Sequence, residues 1–131
     1  MIRIITRDQI LSKINRYLDS SFGTPAPDHL VLLEVGELGD YQRAHIRHAL
    51  HMTLNQVQNQ ARRRLPDLGA EIVVYGELAA SPTAQEAVLH LVRQGFGNVY
   101  WYVEGKADWA EHGLWMSSMP EDLDGAIAAA S

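Results

Sequence analysis

Five short apolar runs, separated by stretches of helical or turn character, constrain this chain more than any other feature. They lie at residues 2–5, Leu30–Val35, 49–52, Glu71–Tyr75 and 98–103. Leu30–Val35 and Glu71–Tyr75 are nearly continuous in apolar residues, the pattern of strands covered on both faces rather than one. Between the runs stand segments with helical spacing. Thr6 with Gln9 and Thr53 with Gln56 form capping-box patterns that open helices over 6–17 and 53–65, the second closed by Pro66. Ile10, Leu11, Ile14 and Leu18 recur at helical spacing, while Gly23, Pro25 and Pro27 mark 20–28 as a loop. Further helices are expected over 40–44, 82–94 and 107–112. Parallel strands need crossovers, and helices supply them. The predicted fold is therefore α/β: a single domain with a mostly parallel five-stranded sheet flanked by helices on both faces. The domain is expected over 1–116, followed over 117–131 by a helical or frayed tail with Pro120 at its first turn.

Composition narrows the function classes. At 131 residues, 47% hydrophobic and 21% charged, the chain can bury a core without a metal or disulfides, and it has no cysteine to form them. A net charge of −5 argues against a nucleic-acid partner. Arg62, Arg63 and Arg64 are adjacent, so a helix splays them around its axis as a solvated end rather than a basic face. No apolar run reaches the length of a membrane span and no signal peptide is visible, so the expected location is cytoplasmic, with no membrane partner.

In a parallel sheet, ligands sit at the carboxyl ends of central strands, beside helix N-termini. The loop Gly76, Glu77, Leu78, Ala79, Ala80, Ser81 occupies that place. Its amide groups and the dipole of the following helix suit a small anion, yet the loop holds no lysine or arginine and does hold Glu77. A well-capped helix start explains the same residues, with Ser81 or Thr83 as the cap. Ser81 as a nucleophile needs a base that no neighbouring residue supplies. His45, His48 and His51 have a spacing that suits a metal on a helix, but they fall where a turn leads into a strand, so no metal or other cofactor is expected. In the run Tyr100, Trp101, Tyr102 a strand sends alternate rings to opposite sides, which places Trp101 with Val99 and Val103 on one buried face. Trp109 and Trp115 are expected to pack the last helix and tail onto the sheet. Alternatively, Trp115, Met116 and Met119 form an exposed patch for a protein partner or a second copy.

The segments LLEVGELGDYQRAHIRHALHM and IVVYGELAASPTAQEAVLHLVRQGFGNVYWYVEGKADWAEHGL resemble, in order, the two signatures of rhodanese-like domains. In the first, an Asp-Val-Arg strand end is followed by a glutamate, an aromatic residue and a Gly-His-Ile-Pro-Gly-Ala run. In the second come a strand, the active-site cysteine loop, a helix, a Gly-Phe turn and a glycine pair before tryptophan. The resemblance covers roughly residues 4–115 and implies the rhodanese-like fold. It places Gly76 where the family's persulfide-forming cysteine stands, Gly36 at an arginine position and Glu34 at the aspartate position. One branch carries a second cysteine near Ser81. Asp40, His45, Gly105 and Trp109 fall on family-motif positions, with His45 a structural hydrogen-bonder at a strand start, while Glu104 replaces the first of the paired glycines.

A thiolate is what attacks sulfur, and this chain has none. The expected function is a noncatalytic binding or regulatory module in which sulfurtransferase chemistry is lost at Gly76. The alternatives are an enzyme with different chemistry at the same loop, such as hydrolysis of an anionic ester or a sulfur-related reaction, and a structural homo-oligomeric partner protein.

Overall fold

The computed structural model describes residues 2–20 and 30–118. The loop expected over 20–28 falls, past Ser20, outside the described residues, as do the Leu18 side chain, Met119 and the tail expected around Pro120.

The elements are β1 (Arg3–Ile4), α1 (Arg7–Ser20), β2 (Leu30–Val35), α2 (Leu38–Arg43), β3 (His45–Ile46), β4 (Leu50–Met52), α3 (Leu54–Arg64), β5 (Glu71–Tyr75), α4 (Pro82–Arg93), β6 (Asn98–Trp101), α5 (Gly105–Glu111) and β7 (Met116–Ser117). Five strands form one sheet in the order β1-β6-β5-β2-β4, every pairing parallel. That is the expected fold class, with β5 in the centre.

Both capping boxes form. Thr6 N–H donates to Gln9 Oε1 at 2.9 Å and Gln9 N–H returns to Thr6 Oγ1 at 3.2 Å, and Thr53 and Gln56 repeat the exchange at the same distances. These exchanges satisfy orphan donors that a helix start otherwise leaves to water. α1 continues to Ser20, beyond the expected end at 17, because no helix-breaking residue precedes Gly23.

Strand alternation divides the core between the two faces of the sheet. Val31, Leu33, Val35, Ile72, Val74, Val99 and Trp101 pack with α3 and α4. Leu32, Val73, Tyr75 and Tyr102 pack on the opposite side with Ile10 of α1 and Trp109 of α5. The expected buried face of Val99 and Trp101 is present, with Val103 packed partly buried against it. Tyr102, next in alternation, is equally buried on the other face.

Two boundaries need correction. The strand expected over 98–103 ends at Trp101, and α5 begins at Gly105 rather than 107. Gly105 turns the chain at φ 76°, a left-handed value that favours glycine. Two strands too short to show a periodic pattern, β3 and β7, pair antiparallel through His45 with Ser117 and Ile46 with Met116. Trp109 packs as expected; Trp115 is 71% exposed, as in the alternative of an exposed patch, while Met116 is partly buried against the core. The Trp115 backbone is held by donation from Trp109 Nε1 and the Arg47 amide, while its ring faces water with the Arg47 guanidinium 5.4 Å from the centroid.

α5 is tied to α1 by polar contacts at the sheet margin. Arg7 donates to both oxygens of Asp108, at 3.0 and 2.9 Å, and the Tyr102 hydroxyl donates to Asp108 Oδ2. The Tyr102 hydrogen bond, with help from Arg7, holds the Asp108 carboxyl below its ordinary range. A depressed carboxylate stabilises the fold at pH above its unfolded value of 3.8 and loses that contribution as pH falls through its folded value. Asp108→Asn is therefore expected to lower the urea midpoint at neutral pH and to flatten the loss of stability between about pH 5 and pH 2. Parallel midpoint-against-pH curves for the two proteins would refute the assignment.

Candidate functional site

The site lies where β2, β5 and β6 end on one edge of the sheet. Gly76 follows β5 directly, and alternation after Tyr75 turns it toward the start of α4. Ser81 is the N-cap of α4, its Oγ accepting from the Ala84 amide at 3.2 Å, and Pro82 follows at the first turn. The cap fills the space in front of Gly76. A Cβ placed on Gly76 would lie 2.5 Å from Ser81 Cβ and 2.6 Å from Ser81 Oγ. Ser81 is thus both a cap and a plug.

The rest of the loop is pinned from two sides. The Ala80 amide donates to the Val103 carbonyl at 2.7 Å, with Ala80 at φ 55°. The Lys106 amide donates to the Gly76 carbonyl at 3.0 Å. A Cβ on Gly105 would come within 2.7 Å of the Leu78 carbonyl oxygen, so Gly105 permits the close approach of α5 to the loop. Leu78, Ala79 and Ala80 are exposed.

Beneath the loop lies a buried ion cluster. Alternation along β2 places Glu34 on the same face as Leu32, toward α5, and the register sets it beside Tyr75. Glu34 is 1% exposed and meets Lys106, 4% exposed. Lys106 Nζ donates to Glu34 Oε2 at 2.8 Å, to the Asp40 carbonyl at 3.0 Å and to the Ala44 carbonyl at 2.6 Å. Those bonds use all three ammonium protons. Glu77 Oε2, 2.5 Å from Nζ, is therefore held by charge without a hydrogen bond of its own, and Glu34 Oε1 has no hydrogen-bond partner among the described residues. The other Glu77 oxygen accepts from Arg43 at 3.2 Å, and Arg43 also donates to Asp40 Oδ1 at 2.9 Å.

Burial raises Glu34 above the ordinary carboxyl range, against the opposing hydrogen bond and charge of Lys106. Its contribution to stability has the opposite slope to that of Asp108: it is present below the unfolded value of 4.5 and lost as pH rises through the raised folded value. Burial also pushes the Tyr75 phenol well above its usual value, and the neighbouring Glu34 charge adds to the effect. The Tyr75 hydroxyl accepts from the Ile46 amide at 3.2 Å.

The structure brings Glu34, Asp40, Gly76, Glu77, Ser81 and Gly105 together in one region. Gly36 stands at the end of β2, its carbonyl accepting from His51 Nε2 at 2.8 Å. His45 begins β3, donates from Nδ1 to the Tyr41 carbonyl at 2.9 Å and stacks on the Tyr41 ring at 3.9 Å, the structural role expected of it. His45, His48 and His51 do not converge: His45 is buried, His48 is an exposed turn residue at φ 71°, and His51 is spent on Gly36. Trp109 lies in the core behind the site. The loop itself holds no lysine or arginine, but Lys106 and Arg43 reach Glu77 from α5 and α2. The available signal was Glu34, a carboxylate inside an apolar run, which needs a buried cation. Ser81 Oγ has no imidazole or carboxylate partner among the described residues, so nothing there prepares it as a nucleophile.

The rhodanese-like domain model matches residues 16–112. The chain belongs to the rhodanese-like family. Thiosulfate sulfurtransferase GlpE of Coxiella burnetii is 28% identical over 83 residues, spanning 63% of this chain and 74% of the relative. A solved thiosulfate sulfurtransferase from Pseudomonas aeruginosa superposes with a TM-score of 0.71 at 22% identity, covering 89% of this chain but only 20% of that longer one. A Rhodanese_3-like domain from Anabaena gives 0.61 at 27% identity, covering 67% of this chain and 98% of the domain.

Removing the cation of the cluster leaves the buried Glu34 carboxylate without its partner and takes one of two cations from Glu77. Lys106→Met is expected to cost about 3–5 kcal/mol of stability, and Lys106→Met/Glu34→Gln to recover a substantial part of it. Urea titration of both variants measures this; a single variant as stable as the parent would contradict the buried pairing.

Proposed function

We propose that this chain is a noncatalytic rhodanese-like module with a binding or regulatory role, its sulfurtransferase chemistry lost at Gly76. The observation that carries this reading is the contact between Gly76 and Ser81. A sulfur carrier needs a thiol and room around it for the transferred sulfur, and here the chain has no cysteine while Ser81 fills the space the first side-chain atom would take. The surroundings support the same conclusion. An oxyanion site works through donors aimed at the substrate, whereas the Lys106 ammonium is spent on protein oxygens and Glu77 extends its charge along the loop. Among the described residues no base reaches Ser81 Oγ for hydrolysis. Among partners, the observations favour a protein over a small anion.

The purified chain is expected to form no thiocyanate from thiosulfate and cyanide. Gly76→Cys alone is expected to form none either, because the new side chain must first displace the α4 cap. Colorimetric thiocyanate assays with a sulfurtransferase as positive control decide the matter, and sustained turnover by the unaltered chain would overturn the reading.

A further inference from the structure

The edge of the sheet that carries the plugged site has an apolar ledge bordered by carboxylates, and the geometry points to its partner: a basic protein segment that presents an aliphatic side chain beside lysine or arginine. The inference rests on the noncatalytic reading, since it assigns the same edge to docking rather than chemistry. β6, β5 and β2 are neighbours in the sheet and run parallel, so their carboxyl ends open on one side. Strands lie about 4.8 Å apart, so three adjacent ends fall within roughly 10 Å. After β2 come Glu37 and Leu38, after β5 Glu77, Leu78 and Ala79, and after β6 Glu104. Leu38 is 51% exposed and Leu78 66% exposed. Each stands three residues past the end of its strand and largely in water, where covering it gains free energy.

Charge selects what covers it. Five carboxylates gather in this region, on Glu34, Glu37, Asp40, Glu77 and Glu104, against two cations, Arg43 and Lys106. Both cations are committed, Lys106 to Glu34 and Glu77 and Arg43 to Asp40 and Glu77. Glu37 and Glu104 are exposed and pair with no cation among the described residues. An acidic partner would bring like charge against them, and a simple cation would leave both leucines wet. A segment with alternating basic and aliphatic side chains satisfies both features, the charges steering it and fixing its register and the leucines holding it.

The test titrates the isotopically labelled full chain with two synthetic peptides, one of alternating lysine and leucine and one of alternating glutamate and leucine, and follows amide NMR shifts. The expected result is saturable shifts confined to the amides around Glu37, Leu78 and Glu104 with the lysine peptide, weakened by added salt and absent with the glutamate peptide. Glu37→Gln/Glu104→Gln is expected to weaken binding about three- to tenfold, as neutralising two exposed pairs should. Leu78→Ser is expected to weaken it independently of salt. All three substitutions are of solvent-facing residues, and amide spectra confirm folding directly. Equal binding of the two peptides, shifts spread over other faces, or variants that bind as tightly as the parent would overturn the inference. Thiocyanate assays on the same samples keep the two readings separate: turnover refutes the noncatalytic reading, whereas loss of localised peptide binding without turnover refutes this one alone.

Discussion

The ammonium of Lys106 is the point on which the organisation of the candidate site depends. Its three protons tie together β2 through Glu34, α2 through the Asp40 carbonyl and the approach to β3 through Ala44, while its charge holds Glu77 of the β5 loop. Four segments distant in sequence are thereby fixed to the first turn of α5. Such a cluster is expensive to desolvate, and its net worth to stability is small compared with the cost of breaking it. What it supplies is specificity of arrangement: among the described residues Lys106 is the cation bonded to Glu34, so its position fixes where α5 docks. Gly105 makes that docking possible, because a side chain there would strike the Leu78 carbonyl.

The same interaction accounts for the electrostatic character of the edge. A cation at a strand end would ordinarily draw in a substrate anion, since the field of a lysine in a poorly solvated site is screened little. Here the protein supplies the anions itself. Glu34 and Glu77 outnumber the ammonium they surround, and Arg43, which approaches from outside, is shared between Glu77 and Asp40. The edge is thus left with surplus carboxylate. Ser81 closes the remaining space on the other side of β5 while capping α4, so a single small side chain serves helix formation and occlusion together.

How much of this could be read in the sequence follows from the range of the forces involved. Capping boxes, proline stops and apolar strand runs are local, and β2, β5 and the start of α3 lie where the residues put them. Family resemblance located Gly76, and the strand-to-helix turn located its loop. The Lys106 cluster was not legible in the same way because its members are separated by up to 72 residues and only the sheet register brings them together. Glu34 signalled that a partner must exist without naming it. β3 and β7 are each two residues long, below the length at which alternation carries information. Aromatic size predicts burial on average and left Trp115 open between packing and exposure; its backbone is fixed by Trp109 and Arg47 in a way that turns the ring outward.

A missing nucleophile suggests an emptied pocket, and the geometry argues for something different. Were the edge merely emptied, Gly76 would leave a void lined by unsatisfied donors, a condition that costs stability and invites water or an anion. Instead the space before Gly76 is occupied, the Ala80 amide is bonded to Val103, and the nearby cations are internally neutralised. Restoring one thiol would therefore not restore the chemistry, because the α4 cap, the buried pair and the acidic loop would each have to change as well. A surface whose cations are spent on the protein's own oxygens, and whose leucines and outer carboxylates face water, is poorly suited to activating a small substrate. On the proposed reading it holds a larger partner, which covers the exposed leucines and meets the outer charges without entering the fold.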